Sequence, residues 1–200
     1  MRRWAPLLLA VVVSLPGLRM GFTLDDWAQR GVVRGRLTYT TTYDLFSFGS
    51  SAETTRVLQD YGFPWFTWPD FRLRFFRPLS SALIGLDTEL FGDAGWPQHL
   101  HSTLWYLALT ALVLVLYRRV VPSLALLAGL LFALDDAHVI PVCWLANRNA
   151  IVSVTFVVGG LLALTVVALA KCRRRSAARP HSIPYAPAIA VGVCLDLVSA

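Results

Sequence analysis

Two pairs of adjacent carboxylates are the residues best placed to do chemistry. Asp25 and Asp26 lie in GFTLDDWAQR, and Asp135 and Asp136 lie in ALDDAHVIPVCWLANRNA. Each pair follows a strongly apolar run, where a hydrophobic helix would meet water. His138, Trp144, Asn147 and Arg148 follow the second pair closely, and Arg77 closes an aromatic-rich stretch between the two. A carboxylate at such a surface can accept a proton from an attacking hydroxyl, while arginine can hold a phosphate. The plainer alternative is that each acidic pair marks a helix end in water. Spacing alone leaves both open.

The elements that must position these groups are apolar. Of 200 residues, 56% are hydrophobic and only 15% charged, with a mean hydropathy of +0.58. Soluble domains carry roughly 25% charged residues, so the balance points to a bilayer. The formal charge is +6, carried almost wholly by arginine, since Lys171 is the single lysine. These arginines cluster beside apolar runs, which fits a topology signal better than nucleic-acid binding. Cys143, Cys172 and Cys194 stand apart without a CxxC spacing, so neither a disulfide framework nor a metal site is expected. They read as small apolar residues.

A spanning helix needs about 20 mostly apolar residues. Runs approaching that length cover 4–22, 101–120, 122–136, 151–170 and 185–200, predicting an all-α, polytopic transmembrane domain over 1–200. Arg2 and Arg3 precede the first run, Arg118 and Arg119 follow the second, and Lys171 with Arg173, Arg174 and Arg175 follows the fourth. With the N-terminus cytoplasmic, all three clusters fall inside, as the positive-inside rule requires. The segments 23–98 and 135–149 then lie outside. A cleaved signal peptide is the competing reading of the first run, but GLRMGFT lacks a small-residue cleavage pair, which favours a retained anchor. The fifth run would carry Asp196 into the bilayer, at about 2.5–3.5 kcal/mol for a helix centre. Its position at the chain end leads to the expectation of a longer parent protein.

The long outer loop is rich in rings. Tyr61, Phe63, Trp65, Phe66, Trp68, Phe71, Phe75 and Phe76 interleave with Arg72, Arg74 and Arg77. That mixture suits amphipathic helices at the membrane surface, or a belt that merely anchors the loop. PLSSALIGLDTELFG has apolar residues at helical spacing. His99 and His101 reach the outer face as polar caps; two positions apart on a helix, they point to different sides.

Taken in order, FTLDDW, FFRPLSSALIGLDTELFG, HLHSTLWYLALTALVLVLYRR and LLAGLLFALDDAHVIPVCWLANRNAIVSVTF resemble the N-terminal part of GT-C superfamily membrane glycosyltransferases. The likeness is to the protein O-mannosyltransferase-like branch and covers residues 4 to 170. It implies transfer of a sugar from a polyprenyl-phosphate donor to a hydroxyl acceptor on the non-cytoplasmic face. By position, it implies a catalytic base at Asp25 or Asp26. It also implies phosphate or structural contacts from Arg77 and Arg148, and places Trp144, which matches the same Trp-x-x-x-Arg segment, among the substrate-binding residues. Asp135, Asp136 and His138 join these as expected substrate-binding residues, although the acidic pair departs from the His-Pro that related sequences tend to carry there. No cofactor follows from the sequence, and a divalent metal is left open. The expected location is a bacterial inner membrane, with membrane lipids as neighbours. The alternative is a non-enzymatic polytopic protein or a degenerate relative. A transporter is disfavoured, because no inverted repeat is visible, and P-loop, GxSxG and HExxH motifs are absent.

Overall fold

The computed structural model describes residues 4–49, 51–60 and 63–177. The fifth apolar run, 185–200, and Tyr61 lie outside the described residues. The chain divides into two compact units, Met1–Phe156 and Val157–Ala200. The groups discussed below all belong to the first.

The architecture is helical: α1 (Ala5–Ser14), α2 (Asp25–Val33), α3 (Ala52–Asp60), α4 (Pro78–Phe91), α5 (Gly95–Val120), α6 (Ala125–Leu134), α7 (Val139–Cys143) and α8 (Arg148–Ala177). Two short strands, β1 (Ser47–Phe48) and β2 (Leu73–Arg74), pair antiparallel with Ser47 opposite Arg74. Among the described residues two segments are long and apolar enough to cross a membrane, Gly95–Val120 and Leu145–Cys172. At 1.5 Å per residue, α5 measures about 39 Å, more than the roughly 30 Å hydrocarbon layer. It begins at Gly95, six residues before the expected His101, because the polar first turn joins the helix.

The other two apolar runs are broken. The first gives α1 and then a 3-10 segment, Leu15–Arg19, rather than one span over 4–22. Pro16 has no N–H to continue the ladder, so the helix tightens there. The two pieces together reach about 25 Å, short of the hydrocarbon thickness. In the third run, α6 ends at Leu134, and the segment Asp136–Cys143 departs from it at 50°. Counted as one bent span, the pair would make a third crossing. The break falls at the Asp135–Asp136 pair, where carboxylates seek water.

Helices α1, α5 and α6 pack together. A Cβ on Gly129 would stand 2.9 Å from Leu114 Cδ1 and 3.1 Å from Pro6 Cγ, so only glycine lets α6 approach both partners this closely. The Tyr106 hydroxyl donates to Ala133 O at 3.1 Å, joining α5 to α6. The Arg118 guanidinium sits 5.6 Å from the Trp4 ring centroid. The start of α1 and the end of α5 therefore lie on the same side of this packed group.

The segment between α1 and α5 folds around an apolar core of its own. Tyr39, Leu45, Phe46, Phe48, Leu58 and Ile84 are buried in it, with Phe63 and Phe71 packed against them. Trp65, Phe66, Trp68, Phe75 and Phe76 remain exposed. Helix α4 turns its polar residues inward: Ser80, Ser81, Asp87 and Thr88 are buried, while Leu79, Leu86 and Leu90 are exposed. The expected helix in PLSSALIGLDTELFG is present, with its faces set this way.

Candidate functional site

The first acidic pair opens α2, and its two carboxylates have different surroundings. Asp26 is 2% exposed, and both of its oxygens accept hydrogen bonds. Oδ2 takes the Thr23 amide at 2.9 Å and the Thr23 hydroxyl at 3.3 Å. In return the Asp26 amide donates to Thr23 O at 2.9 Å. This reciprocal closure of the first turn has the logic of a capping box. Oδ1 takes the Ala146 amide at 2.7 Å, from the 3-10 turn (Leu145–Asn147) that leads into α8. Burial pushes the Asp26 carboxyl above its ordinary value, outweighing the pull of the Thr23 and Ala146 donors, and the neighbouring Asp25 charge adds to the rise.

Asp25 is half-buried and, among the described residues, makes no hydrogen bond or ion pair. Burial raises its carboxyl as well. Leu24, just before it, has φ +45°, the one non-glycine residue with positive φ among those described. Such a conformation costs of order 1–3 kcal/mol and persists only where surrounding contacts enforce it. Here the Thr23–Asp26 closure encloses Leu24 and presents Asp25.

Behind Asp26 lies a small cavity, with room for about one water, lined by Asp26, Gln29, Arg30, Ile84, Asp87, Gln98, Leu145 and Arg148. Its far wall is a polar network joining α4, α5 and α8. Arg148 pairs through Nη1 with Asp87 Oδ2. It also donates through Nε to Ser102 Oγ at 2.8 Å and through Nη2 to Gln98 O at 2.9 Å. Asp87 Oδ1 meets His101 Nδ1 at 2.7 Å, and Trp105 Nε1 donates to His101 Nε2 at 3.0 Å. An indole N–H can only donate, so His101 accepts at Nε2 and its ring proton sits on Nδ1, facing Asp87.

Among the expected site residues, Asp26 and Arg148 line the same cavity. Arg148 is 2% exposed, and its charge is met by Asp87. Arg77 stands apart at the head of α4, its guanidinium 5.0 Å from the Phe46 ring centroid and 4.5 Å from that of Phe75. It has no carboxylate partner among the described residues, and partial burial lowers its pKa. Asp135 caps the short turn after α6, accepting from the Ala137 amide at 3.0 Å. Asp136 is exposed. His138 packs its ring 4.4 Å from Phe132 and 5.2 Å from Tyr106, centroid to centroid. Trp144 buries an indole N–H that has no hydrogen-bond partner among the described residues. The second acidic pair and Arg77 do not line the cavity beside Asp26.

Three participants escaped sequence reasoning. Asp87 sits in a helix picked out only for its leucines, and its signal was a carboxylate on the same face as Ser80, Ser81 and Thr88. His101 reads as a cap in sequence and is a partner of Asp87 in the fold. The Ala146 amide carries no signal in its side chain. Among the described residues no group of three or more His, Cys, Asp or Glu side chains is arranged to hold a metal ion.

No protein-family model, characterised protein or solved structure matches the chain.

Proposed function

We propose that the chain is a membrane glycosyltransferase, in whole or in part, moving a sugar from a polyprenyl-phosphate donor to a hydroxyl acceptor on the non-cytoplasmic face. Its N-terminus lies in the cytoplasm and the segment between α1 and α5 lies outside. One observation carries the reading. Asp25 is a half-buried carboxyl with no hydrogen-bond or ion-pair partner among the described residues and a raised pKa, held at a strained turn beside a fully bonded neighbour. A base needs free lone pairs and a pKa closer to neutrality than an ordinary aspartate has. Both carboxyls are raised, and Asp25 is the one with free oxygens, since those of Asp26 are occupied.

In this reaction Asp25 takes the proton of the acceptor hydroxyl as its oxygen bonds to the anomeric carbon. The bond from that carbon to the phosphate oxygen breaks, and the polyprenyl phosphate leaves with the electron pair. Arg77, a cation without a carboxylate partner among the described residues, is suited to hold the departing phosphate. Arg148 positions the turn that carries Ala146, rather than touching phosphate.

A second reading, a non-enzymatic membrane protein, draws on the small size of the cavity and the commitment of Arg148 to Asp87. The experiment that separates them incubates membranes containing the full chain with a panel of polyprenyl-phosphate sugars and measures polyprenyl phosphate release. Release above membranes lacking the protein supports the transferase. No release with any donor supports the second reading.

A further inference from the structure

Helix α4 has its faces reversed relative to a helix at a protein–water boundary. Its buried side carries Ser80, Ser81, Asp87 and Thr88, and two of these, Ser81 and Asp87, are answered by partners. Ser81 Oγ accepts from the Leu45 amide at 3.1 Å, and Asp87 holds Arg148 and His101. The outer side carries Leu79 at 48% exposure, Leu86 at 48% and Leu90 at 64%, with Ala82 also exposed and Leu83 partly so. At 100° per residue these five positions fall in one stripe about 100° wide. Glu89 is the single charged residue of α4 that is exposed.

We infer that this leucine stripe docks on the outer leaflet of the bilayer, with α4 lying along the interface. The inference rests on the membrane reading but not on sugar transfer. Water is a poor occupant for a continuous apolar stripe. With 14 residues α4 is about 21 Å long, too short to cross a layer of roughly 30 Å. Only Gly92–Ala94 separate it from α5, which is long enough to span, so Leu90 is held within a few residues of the point where the chain enters lipid. Exposed rings stand at both ends, Phe76 at 89% and Trp96 at 61%, and aromatic side chains favour the headgroup level. Arg72 is exposed close by, without an ion pair among the described residues, and can meet lipid phosphate.

The test places a nitroxide label on Leu86→Cys and Leu90→Cys, with Cys143, Cys172 and Cys194 replaced by serine. Glu53→Cys on α3 serves as the reference. The full chain is reconstituted in phosphatidylethanolamine–phosphatidylglycerol vesicles, and relaxation by oxygen is compared with relaxation by a water-soluble nickel chelate. The expected result is oxygen access several-fold above nickel access at both leucine positions, with the reverse at position 53. Nickel access at 86 and 90 equal to that at 53 would put the stripe in water and overturn the inference. Low access to both relaxants would mean that protein covers it, and would overturn it too. On the native sequence, an apolar photoactivatable diazirine dissolved in the same vesicles should mark Leu86 and Leu90. The absence of adducts on α4, with α5 marked, contradicts the docking without any substitution.

Discussion

The Ala146 amide donates to Asp26 Oδ1 at 2.7 Å, joining residues 120 positions apart. This bond fixes the start of α2 against the turn that opens α8, and it leaves Asp26 with little capacity for anything else. The bond gives Asp26 a structural task, and the base proposed above is therefore Asp25.

Asp26→Ala should therefore act on stability. It leaves the Ala146 amide buried and unpaired, at a cost of about 1–3 kcal/mol. Thermal unfolding in detergent should show the loss, and hydrogen exchange at the Ala146 amide should quicken more than at amides within α5. Unchanged exchange at Ala146 would contradict the bond.

Asp25→Asn should behave differently, because no hydrogen bond is lost. Burial raises the Asp25 carboxyl above its ordinary 3.8, so ionised Asp25 is less favourable in the folded chain than in the unfolded one. A carboxyl raised on folding adds stability that is fully present below its unfolded pKa and is lost as pH rises through its folded pKa. At neutral pH the asparagine variant should melt no lower than the native chain. Any advantage it holds should fade as pH falls through the folded value toward 3.8. Melting curves from pH 7 to pH 4 give the comparison, and a variant less stable at neutral pH would contradict it.

Asp87→Ala should be the most damaging single change near the site. It strands the Arg148 guanidinium in a buried position, and breaking such a pair costs about 3–5 kcal/mol. The double variant Asp87→Leu, Arg148→Met should recover much of that loss, since no unpaired charge remains. Equal instability of the single and double variants would argue against the pairing.

Much of the scaffold was legible, and the reason is physical. The runs that became α5 and most of α8 are apolar over lengths sufficient to cross a membrane. The stretch 78–92 showed its helical period plainly. What stayed hidden was the consequence of Pro16 within the first run, which shortens α1, and the core formed by Tyr39, Phe46 and Phe48 in a loop read as surface helices. The acidic pair at 25–26 could be picked out, but not the unequal surroundings of its members. That inequality depends on an amide 120 residues away. Asp87 was invisible for a related reason: its partners lie 14 and 61 positions along the chain, beyond any local pattern.

The His101 tautomer offers a check on the same network. Trp105 Nε1 donates to Nε2, so the proton should reside on Nδ1. Nitrogen-15 shifts of labelled histidine should show this form for His101. Trp105→Phe removes the donor, at about 1 kcal/mol, and should allow the other tautomer to appear. A protonated Nε2 in the native chain would contradict the arrangement.

The most direct test of the central claim compares the native chain with Asp25→Asn in membranes supplied with a polyprenyl-phosphate sugar on which the native chain acts. A positioned base contributes roughly 10²–10⁴-fold to rate. Release of polyprenyl phosphate should fall by at least about 100-fold in Asp25→Asn, with the melting temperature unchanged or higher. Full activity in that variant would contradict the role given to Asp25.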